Sequence, residues 1–170
     1  MLGRQTTSRT ALSALTVAIL ASVAWAAPAT TAAPSAAVGA AAAYRSAPDR
    51  YENRVVYWTN VKRRRHGLPA LRKRDCPDHF AESWVRHLAR TGSFYHQDVT
   101  RMFSCPRVNV AGENLARGNV TPRQVVNAWM RSSEHRANIL KRRYTHIGVG
   151  SVYSLVDGGR LYTSQTFTGR

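Results

Sequence analysis

The chain has little negative charge to set against its positive charge. Against 25 Lys+Arg there are 9 Asp+Glu in 170 residues, a formal net charge of +16. Lysine is scarce as well, with only Lys62, Lys73 and Lys141, so arginine carries the excess. An imbalance of this kind favours polyanions as partners, such as envelope phosphates, anionic lipid head groups or nucleic acid. A general compositional bias towards arginine, serving solubility, is the competing account. No nucleic-acid recognition motif and no repeat of basic and aromatic residues is present, which argues against sequence-specific nucleic-acid binding. Cysteine is limited to Cys76 and Cys105, with no Cys-x-x-Cys spacing for zinc or dithiol redox work. There is no His-x-x-x-His pair to place two imidazoles on one helix face, and there are no internal repeats.

Long apolar runs are also lacking. Ala11 to Ala21 is interrupted by Ser13 and Thr16 and falls short of the ~20 residues that a membrane span requires. It follows Arg4 and Arg9 and precedes Ala24-Trp25-Ala26, a small-x-small cleavage site. Residues 1–26 therefore read as a signal peptide, and the mature chain as secreted and extracellular with no transmembrane segment. An uncleaved anchor is the alternative. Taking Arg4 and Arg9 from the 25 Lys+Arg and setting the rest against 9 Asp+Glu leaves a mature net charge of about +14. Residues 27–46 are rich in Ala, Pro and Thr, and uncharged up to Ala43. They are expected to form a disordered spacer, because they cannot bury enough apolar surface to offset ordering. In an exported chain the even pair Cys76 and Cys105 reads as a disulfide, with two buried thiols as the alternative.

The folded domain, residues 47–170, is long enough for one core and is expected to be monomeric. A first helix should begin near Asp49, with Tyr51, Val55, Trp58 and Lys62 on one face, reinforced by Val56 and Val61. Lys62-Arg63-Arg64-Arg65 reads as its solvated carboxyl end, the alternative being a dock for an anionic surface. Gly67 and Pro69 stop it. A second helix opens at Pro77, carries Phe80, Ala81, Trp84, Val85 and Leu88, and ends at Thr91-Gly92. His79 and His87 have no motif context and read as packing or surface residues. A short strand at Val108–Val110 leads into Gly112-Glu113-Asn114. Thr121-Pro122-Arg123-Gln124 is a capping box opening a third helix with Val125, Val126, Trp129 and Met130. Ser132 or Ser133 breaks that helix ahead of a short turn from His135 to Leu140. Two strands close the chain, Ile147 onward and Leu161–Phe167, around the turn signal Asp157-Gly158-Gly159. This order suits an α+β sandwich with an antiparallel sheet.

Three segments in order, Gly112-Glu113-Asn114-Leu115-Ala116, Trp129 to Leu140 and Ile147-Gly148-Val149-Gly150, resemble the CAP superfamily in its short secreted bacterial branch. The superfamily comprises the cysteine-rich secretory proteins, antigen 5 and pathogenesis-related 1. The resemblance runs from about Asp49 to Phe167. It implies a three-layer α-β-α sandwich with a mainly antiparallel central sheet. It also implies a central cleft with two His and two Glu, whose histidines hold zinc in some members. Carried over by motif, these are His96, Glu113 and His135. The fourth position, a Glu three residues after the helix tryptophan in eukaryotic relatives, is Ser132 here, with Glu134 two residues later as the substitute. His96, Glu113, His135 and Glu134 are thus the candidate catalytic groups, and His96 and His135 the candidate ligands of a weakly bound zinc or other divalent metal. Gly112-Glu113-Asn114 also admits a structural role, with the glycine in a tight turn, the Asn bonding backbone and the Glu linking layers. Because no nucleophile and no complete ligand set is legible, the chain reads first as a cleft-bearing binding module at or outside the envelope. Its ligand would be an anionic envelope component, a lipid or a protein. The alternative is a metal-assisted hydrolase.

Overall fold

The computed structural model describes the backbone of residues 36–170 and the side chains from Asp49 onward. The expected signal peptide and the first part of the expected spacer lie outside the described residues. Helix α1 spans Ala36–Arg65. It starts well before Asp49, in an alanine-rich stretch of high helix propensity. A two-residue strand β1 (Arg72–Lys73), helix α2 (Asp75–Thr91) and a 3-10 turn (Val99–Ser104) follow. Next come strand β2 (Val110–Arg117), helices α3 (Pro122–Arg131) and α4 (Ser133–Leu140), and strands β3 (Tyr144–Ser154) and β4 (Arg160–Gly169). The capping box at Thr121 and Gln124 forms as expected, each side chain bonded to the other residue's backbone.

The sheet order is β1-β3-β4-β2, with β1 parallel to β3 and the other pairs antiparallel. Each face of the sheet carries its own core. On one side Ile147, Val149 and Phe167 pack with Val55 of α1, Val126 and Trp129 of α3 and Ile139 of α4. On the other, Val85 and Leu88 of α2 meet Leu115 and Tyr162. The result is the α-β-α sandwich, and alternation along β3 explains how it closes. Ile147 and Val149 face α1, whereas Gly148 and Gly150 face α2. A Cβ on Gly148 would lie 2.2 Å from the backbone nitrogen of Asp78, and one on Gly150 would lie 2.5 Å from Cα of Glu82. Ile-Gly-Val-Gly is thus a strand with one greasy face and one bare face, and α2 rests its backbone on the bare one.

Cys76, near the start of α2, is bonded to Cys105, which follows the 3-10 turn, with a Cα–Cα distance of 6.0 Å. The buried face of α1 is not the expected one. Val55 is in the core, but Glu52, Thr59 and Arg63 share its burial, while Tyr51, Val56 and Trp58 only flank it. Arg63 corrects the reading of the basic run as a solvated end, since its side chain is 0% exposed. Its guanidinium donates to the carbonyls of Pro69 (2.9 Å), Ile139 (2.8 Å), Lys141 (3.1 Å) and Tyr144 (3.2 Å). The carbonyl end of α4 supplies the negative pole this cation needs.

Candidate functional site

Strand β2 is one edge of the sheet, so segments from both helix layers can wrap around it. Alternation sends Glu113 to the α2 side and Asn114 to the α3–α4 side. Glu113 is 5% exposed, and four donors surround its carboxylate. Oε1 accepts from Gln97 Nε2 (2.7 Å) and Ser164 Oγ (2.7 Å), and Oε2 accepts from the Gln97 backbone (3.2 Å) and His96 Nδ1 (2.7 Å). Because a carboxylate only accepts, Nδ1 of His96 carries a hydrogen, and Nε2 makes no hydrogen bond among the described residues. The His96 side chain is 58% exposed. His87, read as a packing or surface histidine, stacks on Trp84 and bonds Tyr95 Oη at 2.9 Å, bracing the loop that delivers His96.

His135 enters from the first turn of α4. Its Nδ1 lies 2.9 Å from Ser132 Oγ, and its backbone carbonyl accepts from Asn114 Nδ2 at 3.1 Å. Burial lowers its pKa from the ordinary imidazole value, and the charge of His96 lowers it further, against a smaller opposing pull from Glu134. The two imidazoles are therefore within electrostatic reach of each other. Ser132 holds the position next to the imidazole, whereas Glu134 is exposed and forms no hydrogen bond or ion pair among the described residues. Glu134, the expected substitute for the missing carboxylate, is thus bonded to neither His96 nor His135 among the described residues.

Behind this surface lies a polar network that sequence reasoning missed. Asn114 also donates to Gln165 Oε1 (3.2 Å), and Gln165 Nε2 donates to Thr59 of α1 (2.7 Å). Asn138 Nδ2 donates to Asn114 Oδ1 (3.1 Å) and to the Glu113 carbonyl (2.9 Å). Asn138 stands inside the segment His135 to Leu140, the one signal that could have marked it; Gln97, Ser164 and Gln165 carried none. The glycine of Gly112-Glu113-Asn114 lies within β2 rather than in a tight turn. A Cβ there would fall 2.2 Å from Tyr144 Oη, the hydroxyl that donates to the Ala111 carbonyl at 2.9 Å. Burial pushes the Tyr144 phenol up to about 12, so it remains a donor at any ordinary pH.

Among the described residues, no three His, Cys, Asp or Glu side chains gather as a metal cluster. The ring nitrogens left without a hydrogen bond among the described residues are Nε2 of His96 and Nε2 of His135. Glu113 already spends both oxygens on protein donors, so it orients His96 and is not free to ligate. Two imidazoles completed by water fit a weak, exchangeable divalent ion and not a structural one.

The sequence profile of the CAP family, described as the cysteine-rich secretory protein family, matches residues 56–167. The uncharacterized protein YkwD of Bacillus subtilis (strain 168) is 36% identical over 128 residues, covering 71% of this chain and 48% of that protein. The uncharacterized membrane protein YlbC of the same organism is 30% identical over 128 residues, covering 70% of this chain and 34% of that protein. The chain thus spans less than half the length of these curated relatives. An extracellular protein containing an SCP domain from Bacillus anthracis str. Ames shares the fold with a TM-score of 0.62. It is 23% identical, and the match covers 72% of this chain and 41% of that one. With the motif residues at the β2 edge and the sandwich around them, the chain belongs to the CAP family.

Proposed function

We propose that the chain is a secreted binding module that holds its ligand at the β2 edge, between the imidazoles of His96 and His135. The observation that carries this reading is the saturation of Glu113 by four donors. A general acid or base must be free to exchange a proton with substrate, and a metal ligand needs a free lone pair. Glu113 instead fixes the ring of His96, and Ser132 fixes the ring of His135. The site then offers two oriented ring nitrogens and a polar wall, which suits recognition of a ligand's polar groups at the cell envelope. The extracellular setting rests on the signal-like residues 1–26 and on the likeness to an extracellular SCP-domain protein.

A second reading, metal-assisted hydrolysis, draws on the same unbonded Nε2 atoms. A divalent ion bound there would act as a Lewis acid, and the chain's contribution would be the orientation of both rings. Zinc titrated into the chain and into the His96→Ala and His135→Ala variants separates the two. The binding reading expects weak uptake that either variant abolishes and that disappears below about pH 6, as protons compete for the ring nitrogens. It expects no zinc-dependent turnover of ester or phosphoester substrates. Turnover that requires both histidines would replace it with the hydrolase.

A further inference from the structure

A second recess lies where the start of α2, the chain after the disulfide and the last residues of β4 meet. It has a volume of about 530 Å³ and is lined in part by Arg74, Asp75, Arg107, His146, Thr168 and Arg170, with the Cys76–Cys105 bridge in its wall. It shares no residue with the His96 and His135 site. None of the five ion pairs formed among the described residues involves Arg74, Arg107 or Arg170, so three guanidiniums stand around the recess without a carboxylate partner. Asp75 is the single acidic lining residue.

Two further observations suggest that the recess is built and not an accident of an arginine-rich surface. Thr168 lines it with 1% exposure and makes no side-chain hydrogen bond. Two residues earlier on the same face, Thr166 donates its hydroxyl to the Pro77 carbonyl at 2.8 Å. Tyr51 Oη is the one sealed side-chain polar atom without a partner among the described residues, so the unbonded Thr168 hydroxyl keeps some access and can donate to a ligand acceptor. Arg107 has φ 62°, the only positive φ outside glycine among the described residues. A non-glycine residue held there carries backbone strain of the kind that accompanies ligand sites. Burial first, then the charges of Arg74, Arg72 and Arg170, lower the pKa of His146, another residue of the lining.

We infer that this recess binds a phosphate group, free or borne as a monoester, through Arg74, Arg107 and Arg170, with the Thr168 hydroxyl as a neutral donor. Guanidinium forks match the paired oxygens of phosphate, and several of them oppose a doubly charged group better than a single carboxylate. The site is independent of the cleft reading above.

The test is calorimetric titration of inorganic pyrophosphate into the whole chain at constant ionic strength, using Arg74→Gln, Arg107→Gln, Thr168→Val and, as a control, the exposed Arg64→Gln. Unchanged thermal midpoints verify that the surface variants fold. Loss of one charge-assisted contact should weaken binding about tenfold or more for Arg74→Gln and Arg107→Gln, with no change for Arg64→Gln. A parallel sedimentation arm uses phosphatidylcholine vesicles with and without phosphatidic acid. Joint loss of pyrophosphate and phosphatidic-acid vesicle binding in Arg107→Gln identifies a membrane-borne phosphate as the ligand, and loss of pyrophosphate alone a soluble one. Equal weakening by Arg64→Gln, or no pyrophosphate binding by the parent chain, would overturn the site.

Discussion

Glu52 should make this protein lose stability as pH rises through the neutral range. Its carboxyl sits under α1 with 4% exposure, and its Oε1 accepts the Ser151 N–H at 2.7 Å. Burial raises its pKa from 4.5 to about 8, outweighing the Ser151 bond and the attraction of Lys73, with Glu82 and Asp78 pushing it up further. The folded pKa lies above the unfolded one, so the folded state binds the extra proton. The associated stability is fully present below about pH 4.5 and is lost as pH rises through about 8. At about 1.4 kcal/mol per unit of pKa difference, ionising Glu52 in place withdraws on the order of 5 kcal/mol as an upper bound, a large fraction of a small domain's stability. Urea unfolding at a series of pH values from about 5 to about 9, for the parent and Glu52→Gln, measures this directly. The amide keeps the acceptor for Ser151 and cannot ionise, so the variant's stability should stay flatter by several kcal/mol over that range. Equal slopes for parent and variant would show that Glu52 titrates normally and that its burial is relieved by water.

Two further substitutions test the frame. Arg63→Met should destabilise the fold by about 3–5 kcal/mol in denaturant unfolding, because it strands four carbonyls that the guanidinium now satisfies; a loss below about 1 kcal/mol would return the basic run to a solvated role. Reduction of the Cys76–Cys105 bridge, with 29 residues of sequence separation, should remove roughly 3–4 kcal/mol in the chain-entropy account, read as a lower unfolding midpoint; an unchanged midpoint would mean that the reduced chain keeps the same contacts.

What was legible in the sequence followed apolar periodicity and turn chemistry. Val85 and Leu88 marked the inner face of α2, Thr121 and Gln124 marked the start of α3, and alternation from Ile147 marked β3. What was not legible was polar burial. Counting apolar positions put Trp58 and Lys62 on the inner face of α1, whereas the structure buries Glu52, Thr59 and Arg63 beside Val55. Each of these polar groups is accepted because a partner waits for it on a distant element: Ser151, Gln165 and the end of α4. No local pattern carries that information. Strand β1 is two residues long and too short for any period to show. At the site, the motif picked out His96, Glu113 and His135 as candidates, but which of Ser132 and Glu134 would bond the imidazole turned on where α4 begins, and Ser132 makes that bond.

The motif segments become intelligible once the frame is separated from the surface it presents. Gly112 clears Tyr144, Asn114 joins Asn138, Gln165 and the His135 carbonyl, and Gly148 with Gly150 lets α2 settle on β3. These residues bind backbone and layers together, and none of them reaches solvent chemistry. His96 and His135 stand apart from that frame, each steadied by one hydrogen bond at Nδ1. A polar frame of this kind is costly unless every member is bonded, so it specifies one arrangement of strand β2 and helix α4. The imidazoles inherit that precision without contributing to it. A ligand that needs two nitrogens at a fixed spacing could therefore be selected by residues that never touch it, and substituting His96 or His135 should abolish binding while leaving the fold intact.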